Sequence, residues 1–211
     1  MIVGHTHRFI FIKTVKTAGT SIEVELSQIV EEEAIVTPIY PPNENHKPRN
    51  YKLDDGRKFY NHMPATEVSV YLGKERFASY FKFCVEREPV DKCISHFSMR
   101  KNSPYHNETT KHKTWFDYVK EKKFPVDAKK YLSKTGNLLV DRIIRYENLP
   151  EEMDKLCEQL GIAKLALKTR EKSGFRESVP ISRSDLKIIY KKFKKTNKHT
   201  CYKLDDFNCS G

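Results

Sequence analysis

The sequence predicts an α/β fold with three layers, in which a central parallel sheet is flanked by helices. Two short apolar runs, "RFIFIK" (residues 8–13) and "YFKFCVE" (residues 80–86), have the composition of strands that are buried on both faces. Each run is followed by residues with helical spacing, and this alternation is typical of parallel sheets. The chain has 211 residues, of which 38% are hydrophobic, and we expect a single domain over residues 1–211.

The first half of the chain predicts two helices separated by a long loop. The first helix runs from residue 17 to about residue 30, because its apolar residues recur at helical spacing. Residues 37–58 are rich in Pro and Asn, which indicates a long loop with a short hairpin around "LDDG". After His62, "MPATEVSVYLG" predicts a helix with Pro64 in its first turn and Gly73 at its end.

The second half continues the alternation of strands and helices. A helix follows the second strand at once, with Pro89 at its start. Residues 115–122 predict a short helix, and residues 143–146 predict another strand. "PEEMDKLCEQLGI" predicts a helix that ends at Gly161, and "SRSDLKIIYKKFKK" predicts a late helix.

A loop of small polar residues follows the first strand and opens the first helix. It comprises Lys16, Thr17, Ala18, Gly19, Thr20 and Ser21. A helix N-terminus has unpaired N–H groups and a positive dipole end, so this loop is a candidate site for phosphate or sulfate. A helix capped by Thr20 or Ser21, with no ligand, fits the same residues equally well. The Gly-Lys-Ser/Thr signature is missing, which disfavours a kinase-type loop with bound magnesium.

A second candidate anion contact follows the second strand. Arg87 closes that strand, and Ser95 lies two turns into the next helix, eight positions after the arginine. An arginine at this place can bind a phosphate through two hydrogen bonds, and the serine adds a hydroxyl. Alternatively, Arg87 pairs with Glu86 or Glu88, and Ser95 is an ordinary serine of the helix surface.

The two loops, "IKTVKTAGTS" and "FCVEREPVDKCISHF", resemble in this order those of the PAPS-dependent sulfotransferases (PAPS is 3′-phosphoadenosine 5′-phosphosulfate). They look most like the branch that contains heparan and uronyl 2-O-sulfotransferases and their bacterial relatives. The resemblance implies that residues 16–21 wrap the 5′-phosphosulfate, and that Arg87 and Ser95 hold the 3′-phosphate.

Weaker matches extend the resemblance to most of the chain. They are "RYENL" at residues 145–149 and "EKSGFRES", in which Lys172 and Ser173 match late cofactor contacts. Two positions depart from the family pattern: Val15 stands where the family usually has proline, and Ala18 replaces the commoner glycine. Neither change removes a charged or hydrogen-bonding side chain, so we expect PAPS binding to be kept.

Sulfuryl transfer needs an in-line arrangement and stabilisation of the negative charge on the leaving phosphate. We expect Lys16 to supply that stabilisation without a metal. The acceptor hydroxyl must lose a proton, and His62 is the candidate general base. Its "NHM" setting looks like the histidine that the family places before a helix; a helix-capping or surface histidine is the alternative.

The acceptor is expected to be a carbohydrate, by resemblance. Basic residues crowd the long loop before His62 and are suited to an acidic glycan, or they form a solvated loop: Lys47, Arg49, Lys52, Arg57 and Lys58. The lysines of the late helix are expected on its solvent face. Lys13 stays open, since it can reach the cofactor or the acceptor or simply end its strand.

The net charge of +11 indicates an anionic partner. A basic nucleic-acid-binding protein is one alternative, but the chain has no recognition-helix signature, zinc knuckle or strand with alternating basic and aromatic residues. A nucleotide kinase is the other alternative. No apolar run approaches the length of a membrane span, and no signal-peptide pattern is found, so we expect a cytoplasmic protein. The oligomeric state and a pairing of Cys201 with Cys209 stay open.

Overall fold

A five-stranded sheet with helices around it forms the framework of the protein, in a computed structural model that describes residues 1–102, 114–167 and 177–204. The strands follow the order β3-β1-β2-β4-β5 across the sheet. They are β1 (Ile2–Gly4), β2 (Phe9–Phe11), β3 (Ile35–Val36), β4 (Phe81–Glu86) and β5 (Arg142–Arg145). The predicted α/β class is therefore confirmed.

The sheet is mixed, whereas a parallel sheet was predicted. β2, β4 and β5 are parallel, as expected, but β1 is antiparallel to both β2 and β3. The reason is the short connection between β1 and β2, in which the Arg8 amide bonds to the carbonyl of His5. A tight turn of this kind reverses the chain, whereas a parallel pair needs a crossover of a dozen residues or more.

Each helix that the sequence predicts is found in the structure, and two short helices, Lys74–Ser79 and Ala128–Tyr131, were not predicted. They are α1 (Gly19–Ile29), α2 (Ala65–Leu72), α3 (Lys74–Ser79), α4 (Pro89–Asn102), α5 (Trp115–Glu121), α6 (Ala128–Tyr131), α7 (Leu149–Leu160), α8 (Arg183–Lys192) and α9 (Lys194–Thr200). Gly73 ends α2 as predicted, with a φ of 91°. The predicted late helix is divided into α8 and α9 at Phe193. Within the described ranges, no helix is both long and apolar enough to cross a membrane.

The chain divides into two units, each with its own core. The first unit, Met1–Glu86 with Lys129–Thr169, holds the sheet and packs apolar residues of α1 and α7 against the phenylalanines of β2 and β4. The second unit, Arg87–Ala128 with Arg170–Gly211, packs α4, α5 and α8 together around Trp115. The single domain expected over residues 1–211 stays a prediction.

Three of the cysteines are small residues of the protein interior. Cys84, Cys93 and Cys157 are buried. Cys201 is exposed, and its candidate partner Cys209 lies outside the described residues.

Candidate functional site

The loop between β2 and α1 is tied to the end of β4 by two threonines. The hydroxyl of Thr14 donates to the carbonyl of Val85 in β4. Thr14 and Thr17 are joined by a hydrogen bond of 2.8 Å between their hydroxyl oxygens, and Thr17 is fully buried. These bonds fix the start of the loop at the carboxyl edge of the parallel strands, where ligands of open α/β sheets bind.

The N-terminus of α1 begins at a residue that cannot cap it with a side chain. The N-cap residue is Ala18, which is left-handed (φ 58°, ψ 15°), and among the described residues no side chain makes a capping hydrogen bond to the helix. The alternative in which Thr20 or Ser21 is the cap is therefore wrong. The first turn of α1 also contains no acidic residue, so this turn supplies no carboxylate of its own to the positive end of the helix dipole. This end of α1 is suited to an anion.

Two residues of the loop have a strained backbone. Lys16 has a φ of 60° and Ala18 a φ of 58°, and the left-handed region costs a non-glycine residue about 1–2 kcal/mol. Lys16 is half-buried. Strain that is kept in a loop next to a helix N-terminus is a frequent property of ligand-binding segments.

Gly19 is required by packing within the protein. A Cβ at this position would lie 2.8 Å from Cγ and 3.3 Å from Cε of Lys13, and 3.3 Å from the carbonyl oxygen of Thr14. The absence of a side chain at Gly19 therefore allows the close approach of the Lys13 side chain to the start of α1.

Lys13 extends beneath α1 to a buried carboxylate. Its Nζ lies 2.5 Å from Oε2 of Glu23, with 2% and 0% of the two side chains exposed. The other oxygen of Glu23 contacts the Met1 amino group and lies 3.0 Å from the hydroxyl of Thr37. Burial alone would raise the pKa of Glu23, but the ammonium groups of Met1 and Lys13 hold this pKa below its usual value. Lys13 therefore belongs to a buried charge network in the first unit.

His62 lies at the same end of β2. Its Nδ1 is 3.2 Å from the carbonyl oxygen of Lys13. Because a carbonyl only accepts hydrogen bonds, the proton of the neutral ring lies on Nδ1, and Nε2 is the basic nitrogen. The N-cap of α2 is Pro64, so the helix-capping alternative for His62 is wrong. The ring is half-buried, and in this tautomer Nε2 is the nitrogen that could accept a proton.

In the second unit, Arg87 and Ser95 lie on one side of α4. The Nε of Arg87 donates to the carboxylate of Asp91, one turn into the helix. Ser95 follows one turn later, and residues four apart share a helix face. The guanidinium of Arg87 is thus held against the face that carries the half-buried Ser95.

The start of α4 differs from the start of α1, because a carboxylate caps it. Glu88 accepts hydrogen bonds from the amides of Val90 (3.0 Å) and Asp91 (2.6 Å) and from the hydroxyl of Tyr190 (2.8 Å). Burial raises the pKa of Glu88. These two amides are therefore already bonded, and the anion contacts expected of this segment are the side chains of Arg87 and Ser95.

The basic loop divides into structural and exposed cations. Arg49 donates to the carbonyls of Ser27, Val30 and Glu31 and so caps the C-terminus of α1. The predicted hairpin is confirmed by the pairing of Lys52 with Lys58. The remaining cations of the loop are exposed: Lys47, Lys52, Arg57 and Lys58. Arg57 also pairs with Asp55 and lies 4.7 Å from the ring centroid of Tyr71.

The remaining predictions concern two late cofactor contacts, a metal site and the lysines of the late helix. Lys172 and Ser173 lie outside the described residues. Within the described ranges, no group of three or more His, Cys, Asp and Glu side chains could hold a metal ion. The lysines of the late helix were predicted to lie on its solvent face, and they are exposed: Lys191, Lys192, Lys194 and Lys195.

Two buried residues near Lys13 have no recognisable signal in the sequence. Glu23 lies among helical residues that alternate apolar and acidic side chains, and nothing marks it as buried. His46 lies in the Pro- and Asn-rich loop, yet only 5% of it is exposed, and neither ring nitrogen has a hydrogen-bond partner among the residues that the structure describes. Burial lowers the pKa of His46.

Comparison with known proteins finds an uncharacterized relative and no matching family. No protein-family model matches the chain. An uncharacterized protein of Archaeoglobus fulgidus (strain ATCC 49558 / DSM 4304 / JCM 9628 / NBRC 100126 / VC-16) is 28% identical over 105 residues, which are 47% of this chain and 83% of that protein. The chain is similar to that protein over this part of its length.

Proposed function

We propose that the protein is a sulfotransferase that moves the sulfuryl group of PAPS to a hydroxyl of a carbohydrate acceptor. One observation carries the proposal: the first residue of α1, Gly19, and the ring of His62 both contact Lys13, just after the end of β2. An anion site and a general base at one strand end are what a metal-free transfer from a phosphosulfate requires.

The residues of the first unit fit the 5′ end of the cofactor. The amides of the first turn of α1 and the charge of Lys16 would hold the phosphosulfate. When bound, PAPS would supply the sulfuryl group: its S–O bond to the phosphate breaks while the acceptor oxygen bonds to sulfur, and the acceptor proton must leave. Nε2 of His62 takes that proton, and Lys16 stabilises the charge on the phosphate oxygen.

As the resemblance implies, Arg87 and Ser95 are the proposed contacts to the 3′-phosphate. Arg87 carries the charge, Asp91 orients the guanidinium, and Ser95 adds a hydroxyl from the same helix face. Lys172 and Ser173 keep their expected role as late cofactor contacts. The exposed cations Lys47, Lys52 and Lys58 are the proposed contacts to an acidic glycan.

Calorimetric titration with PAP, the product of PAPS, tests the cofactor assignment. Wild-type protein should bind PAP, and Arg87→Ala should lose about 1.5–3 kcal/mol of binding free energy, the value of a charge-assisted hydrogen bond. Arg57→Ala is the matched control, since it also removes an arginine that is paired with an aspartate. Absence of PAP binding by the wild type at low salt would refute the proposal. Salt-dependent DNA binding without PAP binding would favour a nucleic-acid-binding protein.

Turnover tests the two catalytic assignments. His62→Ala should fold and bind PAP but lose about 10²–10⁴-fold in rate, the usual contribution of a general base. Lys16→Ala should lose about 10²–10³-fold, in line with the removal of one electrostatic contact to the developing charge. The assay is mass-spectrometric detection of a sulfated product from a panel of glycans. Unchanged transfer by His62→Ala would remove that residue from its role.

A further inference from the structure

Lys13 contacts three parts of the candidate site at once. Its carbonyl accepts from Nδ1 of His62, at 3.2 Å. Its methylene groups lie against Gly19, the first residue of α1, where a Cβ would be 2.8 Å from Cγ. Its Nζ pairs with Glu23, in the second turn of α1, at 2.5 Å.

The backbone at Lys13 is fixed by the sheet on both sides. The amide of Ile12 donates to the carbonyl of Phe83 at 2.9 Å, and the hydroxyl of Thr14 donates to the carbonyl of Val85. The carbonyl that holds His62 therefore keeps its place whatever the side chain of Lys13 does. The side chain has a separate task, since it connects this fixed strand end to α1.

We infer that Lys13 is a positioning residue, whose buried side chain holds the N-terminal turns of α1 at a fixed place relative to His62. The inference rests on the proposed function for its effect on rate. If α1 binds the anion and His62 removes the proton, the Lys13–Glu23 pair sets the distance between the two. A displacement of about 1 Å between reacting groups can reduce a rate by about 100-fold.

This role predicts an effect on rate that exceeds the effect on binding. In Lys13→Met, α1 keeps its amides and Lys16 keeps its charge, so the Kd for PAP should change by less than about threefold. The kcat should fall by about 10- to 100-fold, because the geometry matters most in the transition state. Thr37 and the Met1 amino group still contact Glu23, so the buried carboxylate keeps partners in this variant.

The test compares Lys13→Met with Lys82→Met in the full chain. Lys82 is also a buried lysine of the first unit, with its Nζ 2.6 Å from the Tyr80 carbonyl and 2.9 Å from Asp141. NMR spectra should show shifted amide signals and faster hydrogen exchange at residues 19–21 in Lys13→Met alone. The ¹⁵N shifts of His62 should keep the Nδ1–H tautomer in both variants.

The outcomes separate the two proposals. If the amide signals of residues 19–21 and the kcat are the same in Lys13→Met as in Lys82→Met, the positioning role is wrong. If wild-type protein neither binds PAP nor transfers sulfate, the proposed function fails, and the NMR comparison still decides the role of Lys13. Should circular dichroism show that Lys13→Met does not fold, Glu23→Gln removes the ion pair at equal volume and should give the same shifts. Unchanged amides in Glu23→Gln would then overturn the inference.

Discussion

Substitution of Gly19 by alanine tests whether the packing of Lys13 beneath α1 is as tight as the structure indicates. The added Cβ would be 2.8 Å from Cγ of Lys13 and 3.3 Å from the carbonyl oxygen of Thr14. A flexible lysine could move aside, but this one is only 2% exposed and is paired with Glu23. The methyl group must therefore displace either the ion pair or the start of α1.

The magnitude follows from two opposing terms. Overpacking of a buried site costs about 1–3 kcal/mol, whereas replacement of glycine by alanine in a helix gains about 0.5–1 kcal/mol. We expect Gly19→Ala to lose about 1–2 kcal/mol of unfolding free energy. At about 2–4 °C per kcal/mol for a chain of this size, the Tm should fall by about 2–8 °C.

Thermal unfolding of three variants gives the assay. Gly19→Ala and Lys13→Met should each lower the Tm, and the double variant should lose less than the sum, because an unpaired methionine can move away from the new methyl group. Ser21→Ala, in the same helical turn, is the control and should change little. A Tm for Gly19→Ala equal to or above that of the wild type would refute the argument from packing.

Three further variants test contacts of the described residues. Burial lowers the pKa of His46 below its ordinary 6.5, so below that pH the unfolded chain binds a proton that the folded chain does not. The unfolding free energy, measured by urea titration, should therefore fall as the pH falls below about 6.5. This fall should be smaller in His46→Leu. Arg49→Ala should lose about 1–3 kcal/mol in the same assay, because three carbonyls at the end of α1 lose their donor. Lys92→Met should lose about 3–5 kcal/mol, because it leaves Asp127, 3% exposed, without its lysine.

The parts of the fold that the sequence predicts are those in which local pattern and tertiary packing agree. β2 and β4 were predicted because continuous apolar runs are buried on both faces of a sheet, and Phe83 and Val85 are indeed fully buried. β1 and β3 were missed because neither lies in an apolar run as long as the four residues 9–12 that contain β2: β1 ends in a glycine, and β3 has only two residues. Their place depends on tertiary contact: Gly4 pairs with Phe9, whose ring occupies the space of the missing side chain.

The candidate site was predicted in part for a similar reason. Small polar residues after a strand, an arginine at a strand end and a histidine before a helix are local patterns, so Lys16, Arg87 and His62 were found. Glu23 and the orientation of Lys13 were missed, because a buried ion pair between a strand and a helix has no sequence period. The direction of a lysine side chain at a strand end depends on which partner the fold brings near it.

The strained loop provides a pair of variants that separate conformation from charge. Lys16 and Ala18 are both left-handed, and glycine removes the Cβ conflict of that region while it loses about 0.5–1 kcal/mol of backbone entropy. Ala18→Gly and Lys16→Gly should therefore each raise the unfolding free energy by up to about 1 kcal/mol. Both keep the backbone amides of the loop, but only Lys16→Gly removes the cation.

Sulfate transfer should then continue in Ala18→Gly and fall by about 10²–10³-fold in Lys16→Gly, although both loops are relaxed in the same way. Equal loss in the two variants would mean that the strained conformation, and not the charge, is what the reaction needs. Full turnover in Lys16→Gly would contradict the assignment of Lys16 to the leaving phosphate. The comparison of these two variants therefore separates the contribution of the left-handed backbone at Lys16 from the contribution of its ammonium group, because only one of the two substitutions removes that group.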